Sequence, residues 1–348
     1  MNATSEIRSL FLTALVLSGI TGAGLVSGTA VEPVVVRVGH FPNITHAQAV
    51  VGRNNGWFDK ALAPDDARVD LKAFNAGPSA IEALFAGELD LVYVGPNPTI
   101  TGYVRSRGEA LRVIAGSVSG GASLVVRADS GIQKPEDFHG KRVASPQLGN
   151  TQDVALRNWL AGHNLKLREK GGDVSVIPVA NPDQWTLFLQ KQLDASWAPE
   201  PWASRLIHDA NCRLFLDERQ LWPDRMFVIT NVIVSTKFLN QHRDLVKRFL
   251  RAHVELTQWI NQHPADAKRI MNAEIKQETH SALADDVLND AFGRIDVTYD
   301  PVRSSLLTAS QEAFDLGLLG HDRPDLAQLY DLSILNEVLK DKGLKTIE

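Results

Sequence analysis

The chain has 348 residues, of which 44% are hydrophobic, and 36 basic and 41 acidic side chains give it a formal net charge of -5. A chain of this length can bury a large core, and ordinary domain sizes favour two lobes over one. Because acids and bases are mixed along the whole length, no basic stripe exists to neutralise a phosphate backbone, which argues against nucleic acid as a partner. The single cysteine, Cys212, excludes an intrachain disulfide and a cysteine-based metal site.

The first thirty residues differ from the rest and predict a secretory signal peptide over residues 1–30. Arg8 precedes an apolar run at 10–17, and the small residues Gly28 and Ala30 predict cleavage after Ala30. The run is shorter than the ~20 apolar residues that span a bilayer, and no cysteine lies near the cleavage region to carry a lipid. We therefore expect a soluble periplasmic monomer without a lipid anchor; the alternatives are a disordered or a membrane-anchoring start.

Strand and helix patterns alternate after this segment, as in a largely parallel sheet flanked by helices. Apolar runs predict strands over residues 34–39, 69–74, 89–95, 111–115 and 123–127. Between these runs, apolar positions at helical spacing predict helices over residues 46–57, 79–85 and 99–107. These elements form a first α/β unit.

A second α/β unit follows the first. Its predicted strands cover residues 141–145, 174–179 and 195–197, and its predicted helices cover residues 151–160 and 183–190. After a further β run at 227–235, the segment beyond Lys237 is helical in pattern, with a long helix that carries on one side Leu245, Phe249, Val254, Leu256 and Ile260. Helices that end a chain pack on an existing sheet, so residues past about 230 should return to the first lobe.

The sequence therefore predicts an α/β protein with two lobes, built on mainly parallel sheets. Two crossings between the lobes are expected, one near Val126 and one near Val228. Ligands of open α/β sheets bind beyond the carboxyl ends of the strands, where helices begin. The loops at those places are the candidate ligand contacts.

Several of these loops carry small residues and hydroxyl or amide side chains, with almost no Lys or Arg. The segments 77–79 (Gly-Pro-Ser) and 149–151 (Gly-Asn-Thr) each precede a predicted helix. A helix N-terminus leaves backbone N–H groups unpaired and binds an anion without a formal countercharge. Plain helix capping, with Thr151 able to cap, is the competing interpretation for any one loop. Recurrence at equivalent strand ends favours an anion cradle.

Two large rings, Trp197 and Trp202, flank a stiff segment that contains Glu200 between two prolines. Core packing explains one such ring well, whereas two on one short loop predict a wall for an apolar part of a ligand. Glu200 is either a solvated loop acid or an acceptor for a ligand hydroxyl or amine. His46 opens a helix in a polar loop, where a capping or solvated role competes with ligand contact.

Catalytic motifs are missing from the sequence. It contains no H-E-x-x-H, no G-x-S-x-G and no G-x-x-x-x-G-K-[ST], and its ten histidines are scattered. Absence of a motif does not exclude an enzyme, but no residue pattern argues for one. We therefore expect no catalytic residues, no bound metal and no cofactor.

Five stretches carry a family resemblance when they are taken together and in order. They are residues 76–84 (AGPSAIEAL), 87–90 (GELD), 94–98 (VGPNP), 137–144 (DFHGKRVA) and 193–201 (LDASWAPEP). With them the chain resembles the sulfonate/nitrate/taurine group of ABC-importer substrate-binding proteins, over roughly residues 35 to 236. The resemblance implies a type II periplasmic binding fold, with residues 34–126 plus 229–348 in one lobe and residues 127–228 in the other.

The resemblance also implies that a small anionic ligand is captured in the cleft by hinge closure. The closed form would then dock on a permease in the inner membrane, which works with its ATPase. Matched position by position, the family's pocket loops suggest ligand contacts at Asn43, Ser79, Asn97, Asn150, Thr151 and Glu200. With His46, Gly77, Trp197 and Trp202 these complete the predicted site. The loop at 43–46 (Asn-Ile-Thr-His) is more polar than the simplest sulfonate-protein pattern, which leaves the ligand open.

An organosulfonate or a sulfate ester fits this pattern best, because a sulfonate presents three acceptor oxygens and its organic tail suits the Trp197 and Trp202 wall. Taurine, nitrate and bicarbonate are alternatives within the family, although nitrate and bicarbonate have no tail to fill an aromatic wall. From another class, an enzyme on the same fold, such as a pyrimidine synthase or a small-acid lyase, is disfavoured by the export signal and the missing nucleophile. An adhesion or scaffold role finds no surface repeat to support it.

Overall fold

The computed structural model describes residues 33–348, and eleven strands of that part of the chain form two sheets. The strands are β1 Val34–His40, β2 Ala67–Ala73, β3 Leu91–Val94, β4 Leu111–Gly120, β5 Ala122–Arg127, β6 Arg142–Ser145, β7 Ser175–Pro178, β8 Ala195–Pro199, β9 Cys212–Asp217, β10 Val228–Ser235 and β11 Ile295–Val297. The six-stranded sheet has the order β11-β4-β10-β3-β1-β2, and the five-stranded sheet has the order β7-β6-β8-β5-β9. Each α/β unit of the sequence thus supplies most of one sheet.

Helices cover both sheets. They are α1 Ala47–Asn54, α2 Trp57–Leu62, α3 Gly77–Phe85, α4 Pro96–Arg105, α5 Thr151–Gly162, α6 Asn181–Leu189, α7 Trp202–Asp209, α8 Thr236–Gln241, α9 Arg243–Gln262, α10 Pro264–Thr279, α11 Asp285–Phe292, α12 Arg303–Asp315 and α13 Ser333–Asp341. The single helix predicted over 46–57 is divided, because Gly56 has a φ of 58° and so ends the first helix before α2 begins.

Both sheets are mixed in strand direction. β1 pairs in parallel with β2 and β3, and β6 pairs in parallel with β7 and β8, as the alternating pattern predicts. β10 is antiparallel to β3 and β4, while β5 is antiparallel to β8 and β9. β5 and β10 are the first strands after the two crossings between the sheets, since the strands that precede them, β4 and β9, belong to the other sheet. The prediction of mainly parallel sheets therefore holds for the βαβ units alone.

The chain crosses from the six-stranded to the five-stranded sheet at Gly120 and Gly121. Both have positive φ, 74° and 81°, a backbone conformation that favours glycine. β5 already pairs with β8 and β9, so the first crossing precedes β5 and does not lie near Val126 as predicted. The chain returns to the six-stranded sheet between Asp217 and Val228.

The C-terminal part packs on the six-stranded sheet. The predicted apolar side of the long helix is buried in α9, where Phe249 stacks on Phe58 with ring centroids 4.5 Å apart. The segment beyond Lys237 is not wholly helical, because the short strand β11 pairs with β4. Neither β9 nor β11 was predicted; β11 has only three residues, too few to show an apolar period.

The predicted signal peptide, residues 1–30, lies outside the described residues. Among residues 33–348, no helix is long and apolar enough to cross a membrane. The same range contains no group of three or more His, Cys, Asp or Glu side chains that could hold a metal ion.

Candidate ligand-binding site

The parallel strands of both sheets end at one small cavity of about 30 Å³. β1, β2 and β3 approach it from one sheet and β6, β7 and β8 from the other, which is where α/β sheets bind ligands. The lining residues are Phe41, Asn43, Thr45, His46, Asn75, Ala76, Gly77, Gly95, Pro98, Pro146, Asn150, Thr151, Gln152, Asn181, Pro199, Ile229 and Thr230. None of these is Lys, Arg, Asp or Glu. We call this cavity the cradle.

Four helices begin at the cradle. α3, α5 and α6 start at the lining residues Gly77, Thr151 and Asn181, and Gly95 is the N-cap residue of α4. Each helix start directs about half a positive charge and unpaired backbone N–H groups toward the space in front of it, although Pro78, Pro96, Pro98 and Pro182 contribute no N–H group. The cradle therefore favours an anion although its wall carries no formal charge.

At the start of α5, one residue caps the helix and the next one has a free hydroxyl. Asn150 is the cap, since its Oδ1 accepts a 2.8 Å hydrogen bond from the Asp153 N–H. Thr151, which the sequence analysis considered as a cap, is the first helical residue. Its Oγ1 is buried and has no hydrogen-bond partner. The Thr151 hydroxyl is thus free to donate to a bound anion.

The loop after β1 supplies two more polar groups, Asn43 and His46. Both are buried and line the cradle. Burial lowers the pKa of His46 well below its usual range, so the ring is neutral. Its Nδ1 accepts from the Phe41 N–H at 3.3 Å, which leaves the proton on Nε2. Asn43 Oδ1 accepts from Trp202 Nε1 at 3.1 Å, so the Asn43 NH2 group remains a donor.

The segment 77–79 contributes one residue to the cradle and one residue outside it. Gly77 lines the cradle, and a β-carbon at that position would lie 2.4 Å from Pro98 Cγ, so only glycine permits this approach of two helix starts. Ser79 lies further out, and its Oγ donates to the Ala76 carbonyl at 2.9 Å. Gly77 thus shapes the cradle, whereas Ser79 faces its entrance.

A wider cavity of about 550 Å³ adjoins the cradle and shares Phe41, Asn43, Asn75 and Asn181 with it. We call this cavity the mouth. Its aromatic residues are Phe41, Phe74, Trp185 and Trp202. An apolar tail can therefore extend from the cradle along an aromatic wall.

Trp197 does not belong to that wall, which corrects the prediction of two adjacent rings. Its side chain is fully buried within the five-stranded sheet, 6.3 Å from the Trp159 ring centroid. Its Nε1 donates to Glu218 Oε2 at 2.6 Å. The physical reason is that Trp197 lies within β8, whereas the cradle begins beyond the end of that strand.

Two further predicted residues, Asn97 and Glu200, line neither cavity. Asn97 Nδ2 donates to the Ala309 carbonyl of α12 at 3.3 Å, so this side chain packs against α12. Glu200 is fully buried, which excludes a solvated loop acid, and it is ion-paired with Arg294 at 3.0 Å. Both side chains turn away from the cradle because a helix start places only some of its residues toward the strand ends.

Five polar residues of the cradle were not among the predicted contacts, namely Thr45, Asn75, Gln152, Asn181 and Thr230. Thr45 lies within the polar segment 43–46, Asn75 and Gln152 lie next to the segments 77–79 and 149–151, and Asn181 precedes Pro182 at a helix start. Thr230 lies inside the apolar run of β10, where no local signal distinguishes it.

The buried carboxyl of Glu218 predicts a dependence of stability on pH. Burial raises its pKa to about 7; the Trp197 hydrogen bond opposes this shift and the charge of Glu312 adds to it. The folded protein then keeps a proton that the unfolded chain loses near pH 4.5. The unfolding free energy should therefore fall as the pH rises from about 4.5 to about 7.

Chemical denaturation at several pH values can test this expectation with Glu218→Gln. The variant should match the parent protein at pH 5 and be more stable by about 2 kcal/mol at pH 8. Glu136→Gln, which changes an exposed acid, should show no such difference. An equal effect of Glu218→Gln at both pH values would mean that Glu218 is ionised throughout.

Comparison with known proteins adds to this geometry. Over 298 residues the chain is 24% identical to a Bacillus subtilis (strain 168) protein named for binding aliphatic sulfonates, with 84% of each chain covered. The alkanesulfonate-binding protein SsuA from Xanthomonas axonopodis pv. citri, solved with MOPS bound, has a TM-score of 0.71 at 19% identity, covering 87% of this chain and 99% of that one. The periplasmic nitrate-binding protein NrtA from Synechocystis PCC 6803 has a TM-score of 0.73 at 17% identity, covering 89% of each.

These structural likenesses show the periplasmic binding protein fold that the sequence analysis predicted. The sequence model of the NMT1-like family matches residues 29–275, which is well over half of the chain. The chain therefore belongs to the NMT1-like family.

Proposed function

We propose that this protein is the periplasmic solute-binding component of an ABC importer and captures an organosulfonate or a sulfate ester. The observation that carries the proposal is the cradle, where four helix starts and an unpaired buried hydroxyl surround a space without a formal charge. An anion in that space is held by N–H and O–H donors. The sulfonate binder and the nitrate binder of similar fold support an anionic ligand.

The donors of the cradle suit a sulfonate headgroup. Its three oxygens can accept from the Thr151 hydroxyl, the His46 Nε2–H and the Asn43 amide, together with the helix N–H groups. The tail then enters the mouth beside Trp202 and Trp185. Nitrate and bicarbonate leave that aromatic space empty, so they suit the site less well. Taurine is the alternative with a short charged tail.

Capture requires opening, because a cavity of about 30 Å³ holds one or two water molecules and not an organic anion. We place the two lobes on the two sheets, with hinge segments at Gly120 to Gly121 and between Asp217 and Val228. Relative to the lobes predicted from the sequence, this moves β5 into the second lobe. A closed, liganded monomer would dock on the permease, which works with its ATPase.

An enzyme on the same fold is the alternative from another class. The one thiol of the chain, Cys212, lines neither the cradle nor the mouth, and burial raises its pKa to about 12. A thiol in this state is a poor nucleophile. We therefore expect binding without turnover. A cytoplasmic, unprocessed protein that consumes its ligand would favour the enzyme.

A thermal-shift screen tests the proposal directly. A ligand at 100 times its dissociation constant adds about 2.7 kcal/mol to the unfolding free energy. Alkanesulfonates, arylsulfonates, taurine, sulfate esters, nitrate and bicarbonate should be compared at matched ionic strength. Stabilisation by nitrate or bicarbonate alone would replace the proposed ligand, and stabilisation by none of these anions would overturn the proposal.

Thr151→Val should weaken ligand binding by about 1 to 2 kcal/mol, because it removes a hydroxyl donor while keeping the shape of the side chain. The unfolding free energy should stay within about 0.5 kcal/mol, since this hydroxyl has no hydrogen-bond partner among residues 33–348. Calorimetry and denaturation of the same samples give both quantities.

Asn150→Ala is the matched control, one residue earlier. It removes the cap that accepts from Asp153 and should lower the unfolding free energy by about 1 kcal/mol. Unchanged affinity in Thr151→Val would show that its hydroxyl does not contact the ligand.

A further inference from the structure

One cation, Arg205, lies at the mouth between two indole rings. It is on α7, and its Cζ is 5.0 Å from the Trp202 ring centroid and 5.7 Å from that of Trp185. Both rings and the guanidinium line the mouth. The two aromatic side chains thus stabilise the cation at the mouth, beside the space that a ligand tail would occupy.

The N–H groups of this guanidinium are not used by the protein. The Arg205 side chain makes no hydrogen bond to residues 33–348, and the acid next to it, Asp209, is 3.7 Å away from Nε, beyond hydrogen-bond distance. Asp209 lies one helical turn further along the same helix. Arg205 therefore offers a planar fork of donors to an incoming group.

The acid that lines the same cavity, Glu278, is already paired. Its Oε1 is 2.9 Å from His40 Nε2, and it is also ion-paired with Arg53. Burial alone would raise the pKa of Glu278, but the contacts with His40 and Arg53 lower it. Its negative charge is thus committed within a buried cluster, whereas Arg205 has only the 3.7 Å contact with the exposed acid Asp209.

We propose that the ligand carries a second anionic group, a carboxylate at the far end of its tail, and that Arg205 binds this carboxylate. The inference rests on the proposed function, since it assumes a sulfonate or sulfate headgroup in the cradle. It narrows the substrate class to sulfonated or sulfated carboxylic acids with a short tail. A guanidinium binds a carboxylate through two parallel N–H···O hydrogen bonds, and Arg205 makes no side-chain hydrogen bond to residues 33–348 that would have to break first.

Three ligands of equal length but different tail charge test the proposal by calorimetry. They are 3-sulfopropanoate, 1-propanesulfonate and 3-aminopropanesulfonate, which end in a carboxylate, a methyl group and an ammonium. The carboxylate should bind about tenfold to hundredfold more tightly than the methyl ligand. The ammonium ligand should bind most weakly. Sulfoacetate and 4-sulfobutanoate extend the series to find the tail length that spans cradle and mouth.

Arg205→Gln should abolish most of the carboxylate preference and leave 1-propanesulfonate within about threefold of its affinity for the parent protein. Arg205→Lys, which keeps the charge but not the planar fork, should keep part of the preference. Equal losses for the carboxylate and methyl ligands would show that Arg205 only supports the aromatic wall and would overturn the proposal. So would tightest binding of the ammonium ligand, or no carboxylate preference at any tail length.

The two proposals fail in different ways. Binding of 1-propanesulfonate without a carboxylate preference keeps the proposed function and removes the role of Arg205. Failure of all five sulfonates and of every anion in the thermal-shift screen to bind removes the proposed function, and the role of Arg205 with it.

Discussion

Replacing Arg294 with Met should weaken ligand binding by roughly a hundredfold or more and shift the two lobes toward an open arrangement. Glu200, after β8 of one sheet, is fully buried and lies 3.0 Å from Arg294, before β11 of the other sheet. Arg294 Nη1 also donates to Ser204 Oγ at 2.6 Å. Removing one partner of a buried ion pair costs about 3 to 5 kcal/mol, because the remaining charge is left buried without compensation.

The cost should appear as lost closure more than as unfolding. Because the pair joins two separate sheets, the Glu200 carboxylate can regain water when the lobes part. Burial raises the pKa of Glu200, while Arg294 and Ser204 lower it. Without Arg294 the closed form should favour the protonated acid, so the affinity of the variant should fall as the pH rises.

Small-angle scattering and calorimetry on Arg294→Met give the lobe arrangement and the affinity. The matched control is Glu200→Gln combined with Arg294→Met. It removes the unpaired charge, keeps an acceptor for the Ser204 N–H and should recover most of the binding. A lower unfolding free energy with unchanged affinity and scattering would instead make this pair a fold-stabilising contact.

The sequence identified the loops of the site because their position follows from topology. Parallel strands all end at one edge of a sheet, so alternating strand and helix patterns are enough to bring Asn43, His46, Gly77, Asn150 and Thr151 together. All five line the cradle. Ser79 and Trp202 lie at the mouth.

The sequence could not predict which side chains within a loop point into the cradle. Pro98 lines the cradle and Asn97, the preceding residue, does not, since successive helical residues point about 100° apart. The partner of Glu200 comes from 94 positions further along the chain. Thr230 belongs to an apolar strand that enters the cradle only after the chain has crossed between the sheets. Such pairings depend on how the two sheets face one another, which no local pattern encodes.

Replacing Gly95 with Val should also weaken ligand binding by roughly a hundredfold, while the unfolding free energy stays within about 1 kcal/mol of the parent value. Gly95 has a φ of -69° and a ψ of 162°, which any residue adopts, so the lobe itself should tolerate a side chain. A β-carbon there would lie 2.2 Å from Thr151 Oγ1 and 3.3 Å from Thr151 Cβ. Overpacking at this level costs about 3 kcal/mol, which corresponds to about a hundredfold in affinity.

The clash exists only when the β3–α4 loop of one sheet meets the start of α5 from the other. Scattering should therefore show Gly95→Val in a more open arrangement even with ligand present. A smaller change, Gly95→Ala, should be partly rescued by Thr151→Ala, because the second substitution removes the hydroxyl that the new methyl group meets. In that background Gly95→Ala should cost less affinity than in the parent protein, by more than about 0.5 kcal/mol. Simple addition of the two losses would mean that the contact between Gly95 and Thr151 does not limit closure, and that the helix starts approach one another for another reason.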